Sequence, residues 1–241
     1  MKIRFTILYA ALIFCFVSFS CKKEKEKSAI DSSCRMITAL GGPDTYHFTY
    51  DVDGKLSSLL ILPIKQKYTY TYEGNTTIVL YEVNGVFESK LIISNNSLGF
   101  TTNVRREQNK TGTVWNNQAA EYNGTQIAKM LYTSSDPNGP NLAVNYTWKD
   151  GNIASMESGG KVTTFEYYTD RPSITGDWRR NSEMTEGYRF FNNKNLTRSL
   201  KNASGTTEFK YEFDTGGKIT KQTVIEPDNI QSAVQYEYAC G

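Results

Sequence analysis

From position 34 onward the chain alternates. In YHFTYDV, Tyr46, Phe48, Tyr50 and Val52 share one face, and His47, Thr49 and Asp51 share the other. KYTYTYE groups Tyr68, Tyr70 and Tyr72, and LAVNYTWK groups Leu142, Val144, Tyr146 and Trp148. TEFKYEFD sets Phe209, Tyr211 and Phe213 against Glu208, Lys210 and Glu212, and VQYEYAC aligns Val234, Tyr236, Tyr238 and Cys240. A period of two places one face of an antiparallel strand in a core and the other in water. Aromatic and β-branched side chains suit such a pleated surface.

Each alternating run ends in a turn signal. Asp53-Gly54, Asn84-Gly85, Asn123-Gly124, Asp150-Gly151, Ser158-Gly159, Ser204-Gly205 and Gly216-Gly217 follow one another along the chain. Tight hairpin turns need positive φ, which Gly, Asn and Asp tolerate. The unit is therefore an aromatic strand, a glycine turn and an aliphatic or mixed return strand, repeated at hairpin spacing. Repeated units of this kind bury one another's apolar faces. The chain contains no long amphipathic helical stretch, and residues 34–241 contain no Pro/Ser linker. The expected fold is one all-β domain over 34–241, an antiparallel β-meander forming a strongly curved sheet or open barrel. Two segments break the rhythm. TSSDPNGPN (133–141) reads as an exposed loop. DRPSITGDWRRNSEMTEG (170–187) is too long for a hairpin, and loops beyond ~12–15 residues are often functional or mobile.

Residues 1–20 follow different rules. Lys2 and Arg4 precede an apolar run from Phe5 to Val17, and small residues Ser18 and Ser20 lead to Cys21. This is a secretory signal, shorter than the ~20 apolar residues of a membrane span. VSFSC resembles a relaxed bacterial lipobox, with Ser18 where leucine is usual, so Cys21 is the expected lipidation site. The following KKEKEKSAIDSS is charged and free of aromatic residues. Such a stretch stays disordered. Residues 21–33 thus read as a tether, and its twelve residues after Cys21 reach at most roughly 40 Å.

Loss of residues 1–20 removes Lys2 and Arg4, leaving 25 basic against 25 acidic residues. Nucleic-acid partners call for a basic excess, so none is expected. Of the four cysteines, Cys15 leaves with the signal and Cys21 is assigned to the lipid. Cys34 and Cys240 remain in an exported domain, where disulfides persist, and they are expected to pair.

The C-terminal third carries a resemblance. YTDRP at Tyr168, a long loop, NKNL at Asn193, YEFDTGGKIT and a closing YEYAC occur in this order. With the rest of 34–241, these resemble a group of uncharacterised Bacteroidota lipoproteins, a domain of unknown function with a porin-like fold. The hairpin units also resemble the YD repeats of RHS-type shells. The resemblance implies a strongly curved antiparallel sheet or open barrel at the outer membrane. It carries no established activity and transfers no functional residue.

The chain is poor in catalytic sets. His47 is the only histidine, and alternation puts it on the polar face beside Thr49. A Ser-His-Asp or Cys-His arrangement would have to use it. One histidine and two bridged cysteines leave no zinc-type ligand cluster. DVDG (51–54) lacks the remaining positions of an EF-hand loop and reads as a turn. Glu166, Glu208, Glu212 and Glu237 lie on strands with nothing to pair them across a cleft, as a glycosidase would require. No GxGxxG or Walker loop is present. No enzymatic activity, metal or cofactor is expected.

Two binding features stand out. GDWRRN offers Trp178, Arg179 and Arg180, residue types enriched at interface hot spots. Alternatively, Trp178 tucks under its own loop and pins it to the sheet. The tyrosine-rich stripe either fills the inside of the curved sheet or presents a concave surface to sugars or an apolar ligand. The functional expectation is a lipid-anchored binding or scaffold module of the cell envelope. It would sit at the outer membrane, on the periplasmic or surface face, with a glycan, a small apolar ligand or an envelope protein as partner. The alternatives are an integral outer-membrane barrel and a glycan-acting envelope enzyme.

Overall fold

Alternation along the chain becomes a closed antiparallel barrel in the computed structural model, which describes residues 34–240. The predicted signal, Cys21 and the tether lie outside the described residues. Sixteen strands follow in order: β1 (Arg35–Gly41), β2 (Asp44–Tyr50), β3 (Leu56–Leu62), β4 (Gln66–Glu73), β5 (Thr76–Val83), β6 (Val86–Asn95), β7 (Thr101–Glu107) and β8 (Trp115–Asn123). The second half comprises β9 (Gln126–Ser134), β10 (Leu142–Lys149), β11 (Asn152–Ser158), β12 (Lys161–Pro172), β13 (Asn195–Asn202), β14 (Gly205–Phe213), β15 (Ile219–Ile225) and β16 (Gln231–Ala239). Each strand pairs with its sequence neighbours, and β1 pairs with β16, from Arg35 opposite Ala239 to Gly41 opposite Val234. The expected curved sheet or open barrel is thus a full meander closed on itself. Closure removes both free edges, which an open sheet would have to protect.

The turns follow the sequence chemistry. Asn84 and Gly85 join β5 to β6 with φ of 52° and 78°, the doubly left-handed geometry of a tight primed hairpin. The turn at 51–55 corrects one expectation. β2 ends at Tyr50, Asp51 accepts the Lys55 amide through Oδ1, and Val52 is fully exposed instead of continuing the buried face.

The apolar face points inward along the strands, except that Tyr72 and Leu142, at strand ends where the wall meets solvent, are exposed instead of buried with their neighbours. Leu59, Val79, Leu91, Ile93, Ile127, Ile153, Leu196 and Ile219 are inaccessible to solvent. The tyrosine stripe lies with them, and its hydroxyls reach backbone carbonyls. Tyr50 donates to Met36 O at 2.7 Å, Tyr168 to Phe209 O at 2.9 Å and Tyr238 to Ile219 O at 2.9 Å. A buried ring thus keeps its polar tip satisfied.

Sixteen strands enclose more space than their own side chains fill, and barrels of this size commonly carry a channel. Here the lumen is filled by residues 173–194, the long segment between β12 and β13. It turns inward instead of extending outward, and it contains a 3-10 turn (Trp178–Arg180) and a five-residue helix α1 (Asn181–Thr185). It crosses to the far wall. Tyr70 on β4 donates to Thr185 O at 2.6 Å, Arg106 on β7 pairs with Glu186, and Arg189 and Thr101 exchange hydrogen bonds of 2.9 Å. Tyr122 on β8 reaches Phe190 O at 3.2 Å. Ile174, Met184, Tyr188, Phe190 and Phe191 join the barrel's hydrophobic core.

Gly176 shows how tightly the plug fits. Its φ is 92°, and a Cβ there would lie 3.1 Å from Ile219 Cβ and 3.3 Å from the Tyr236 ring. Gly176→Ala is expected to lower stability by about 1–3 kcal/mol, combining left-handed strain with overpacking. Denaturant unfolding followed by tyrosine fluorescence measures it.

Candidate binding cleft

The barrel wall is not evenly laced. The β13–β14 ladder runs from Asn202–Gly205 to Ser199–Glu208 and goes no further among the described residues. Beyond that pair, residues 195–198 stay with β12 while residues 209–213 stay with β15. Three side chains repair the gap. Tyr168 caps the Phe209 carbonyl, its ring meeting Tyr211 edge-on at 6.1 Å. From inside, the Asp177 carboxylate of the plug accepts Ser173 Oγ at 2.7 Å and Tyr211 OH at 3.1 Å, and it receives the amides of Arg179 and Thr197. Asp177 has no solvent exposure. Burial raises its carboxyl above the ordinary value, opposed by those four donors.

Over this parting, on the outer face, lies a cleft of about 500 Å³, within the range of small-ligand sites. Register builds its walls. Ser199 stands opposite Glu166 on one side and Glu208 on the other, so the two carboxylates flank it, about 10 Å apart between backbones at ordinary strand spacing. Ser199 Oγ donates to Glu166 Oε2 at 3.3 Å. Lys201 and Lys210 alternate with these groups, and Thr164, Tyr168, Arg198, Thr206 and Phe209 complete the lining. The cleft thus offers cationic donors, anionic acceptors and hydroxyls together, a lining suited to a polar ligand rich in both donors and acceptors.

A second parting lies between β11 and β12, whose ladder stops at Ser155–Thr164. There asparagine side chains stand in for the missing strand. Asn193 Oδ1 accepts the Ile153 amide at 3.0 Å, and Asn152 accepts the Asn195 amide at 2.8 Å while donating to Asn195 Oδ1 at 3.0 Å. These buried asparagines fix where the plug re-enters the wall.

The residues predicted from sequence fall in distinct places. Cys34 and Cys240 are bonded, 206 residues apart, beside the Arg35–Ala239 pair that closes the barrel. Trp178, Arg179 and Arg180 lie inside the lumen and not on an exposed loop. Trp178 packs against Phe209 with centroids 4.8 Å apart. The Arg179 guanidinium lies 4.0 Å from the Phe165 centroid, 4.9 Å from Phe191 and 5.0 Å from Trp178. Arg180 makes a two-pronged pair with Glu183 at 2.8 and 3.0 Å. His47 stands on the outer face, opposite Thr38 and Leu60. No metal-type cluster of His, Cys, Asp or Glu occurs among the described residues. Sequence reasoning placed Glu166 and Glu208 on outward faces but did not bring them together, because nothing local reveals which strands will be neighbours across Ser199.

Fold and site together define a plugged sixteen-stranded meander barrel with a polar cleft on its outer wall. Solved structures of similar fold include two porin-like proteins. The porin-like protein of Bacteroides uniformis ATCC 8492 is 13% identical, superposes with a TM-score of 0.60, and the match covers 88% of this chain and 99% of that one. The porin-like protein of Bacteroides vulgatus ATCC 8482 is 14% identical with a TM-score of 0.55, covering 85% and 97%. No family model and no curated protein matches the chain. The likeness establishes the porin-like fold that the C-terminal motifs suggested.

Proposed function

We propose that the chain is a water-facing barrel of the cell envelope, held at the outer membrane through Cys21 and its charged tether, which binds a polar ligand of the glycan class in the cleft over β12–β14. The carrying observation is the outer face. Following the register outward-facing residue by residue, Glu237, Thr38, His47, Leu60, Lys67 and Glu82 stand side by side on six adjoining strands. Glu121, Lys129, Asn145 and Glu157 form a second such row. Lys90 pairs with Glu107 at 2.8 Å and Lys221 with Glu212 at 2.7 Å, both directly across strands. A lipid-facing band rejects such charge, at roughly 2–4 kcal/mol per Lys or Arg at mid-membrane. Ten of the sixteen strands have only seven or eight residues, against the ~9–11 of a spanning strand.

The porin-like architecture favours a second reading, an integral outer-membrane barrel. Expression of 34–241 in an oxidising compartment separates the two. A monodisperse species without detergent is expected, and an absolute detergent requirement would select the second reading. Palmitate labelling of the full chain should vanish in Cys21→Ala. On a glycan array the soluble domain should bind without turnover, and Glu208→Gln combined with Lys201→Met should weaken binding at least about tenfold, the scale of one or two lost charge-assisted hydrogen bonds.

A further inference from the structure

Inside the plug, apart from the outer cleft, a small cavity of about 50 Å³ lies among Arg179, Arg180, Arg189, Phe191, Asn192 and Asn193. Its lining is one-sided. Arg179 Nε and Nη2, Arg189 Nε and Asn193 Nδ2 are all shielded from solvent, and all lack a hydrogen-bond acceptor among the described residues. Each of the four is a donor. The acceptors nearby are engaged elsewhere. Glu183 is taken by Arg180, Asn192 Oδ1 by Arg189 Nη2 at 2.9 Å, and Asn193 Oδ1 by the Ile153 amide. Asp177 is occupied by Ser173, Tyr211 and two amides. Ser173 also lines the cavity, and its hydroxyl proton is directed at Asp177.

Unpaired buried donors are expensive, and a guanidinium more so than an amide. The three aromatic faces around Arg179 stabilise its charge but accept no N–H in its plane. A water molecule accepts two hydrogen bonds and brings two hydrogens that need acceptors of their own. A small anion accepts all four donors and brings no hydrogen. The charge balance agrees, with three arginines facing the carboxylates of Glu183 and Asp177.

We infer that this cavity is a binding site for a small monovalent anion of halide size, held by Arg179, Arg189 and Asn193 at the heart of the plug. The anion locks the inward segment by neutralising charge that the aromatic cage cannot pair. The inference does not depend on the cleft or on the membrane anchor.

Bromide is the probe. Crystals of the disulfide-intact protein grown with sodium gluconate and soaked in sodium bromide should show an anomalous peak between the Arg179 and Arg189 guanidiniums. In solution, melting temperature should rise saturably with bromide when gluconate holds ionic strength constant. In Arg189→Gln the bromide midpoint should move at least about tenfold higher, as loss of one charge-assisted contact requires. Should Arg189→Gln fail to fold, Asn193→Ser serves, with a smaller shift in the same direction. The absence of an anomalous peak in the cavity overturns the site. So does a bromide response identical in wild type and variant, which would mark a general salt effect.

Discussion

Asp177→Ala is expected to destabilise the protein by about 3–5 kcal/mol, among the larger effects available to a single side chain here, because it strands buried donors. Ser173 Oγ, Tyr211 OH and the Arg179 and Thr197 amides all converge on this carboxylate, in a site without solvent access. The four donors come from the plug, from β13 and from β14, so Asp177 holds together the two strands that part beneath the cleft. Removing it should loosen both the plug and the wall. Hydrogen exchange should therefore accelerate at residues 196–198 and 209–213 before it does at β5–β6. Asp177→Asn separates charge from contact. Burial raises the Asp177 carboxyl above its ordinary 3.8, so the folded chain holds this proton more tightly than the unfolded chain does. The group's contribution to stability is then fully present below that ordinary value and declines as pH rises through the window above it. Asp177→Asn should abolish this decline while retaining more stability than alanine. A wild-type stability profile parallel to that of Asp177→Asn throughout this window would refute the raised carboxyl.

Much of the barrel was legible because period-two burial is a local property. Phe209, Tyr211 and Phe213 alternate with Glu208, Lys210 and Glu212 in sequence, and the same residues divide between core and water in the fold, with Phe209 almost fully buried. Hairpin turns are equally local, as Asn84-Gly85 shows. Closure was not legible, because β1 and β16 meet only through the accumulated curvature of fourteen intervening strands. The fate of 173–194 was hidden for a related reason. Its composition, with Trp178, three arginines and Glu186, suits a surface loop. Only the empty volume inside a sixteen-stranded wall draws it inward. Trp178 illustrates the difference: it packs on Phe209 of β14 and so pins its own segment to the sheet, but from inside the barrel. The outer cleft combines both cases. The outward direction of Glu166 and Glu208 follows from alternation, whereas their placement on either side of Ser199 requires the register of three strands.

Loss of the Cys34–Cys240 bond, in Cys34→Ser/Cys240→Ser, should lower stability by about 5 kcal/mol and the melting temperature by roughly 10–20 °C. Topology explains the size. Fifteen of the sixteen seams in this barrel join strands adjacent in sequence, so the chain brings their partners together over connections far shorter than the whole domain, the longest being the plug at 173–194. The β1–β16 seam joins the two ends, and its disulfide spans 206 residues. Loop-closure entropy grows with the logarithm of loop length, so this seam is the most expensive to form and the first to yield. The cross-link removes that entropy from the unfolded chain and sits next to the Arg35–Ala239 pair where the closing ladder begins. In the double variant, amides of β1 and β16 should exchange faster than those of every other ladder, while β5 and β6, joined by the two-residue Asn84-Gly85 turn, stay protected until global unfolding. Uniform acceleration across all sixteen strands would instead mean that the barrel opens as one cooperative unit, with the bond contributing only to the unfolded ensemble. The seam-specific pattern is expected because hairpin-linked strands retain their partners when the ends separate, leaving a curved open sheet that still packs around its plug.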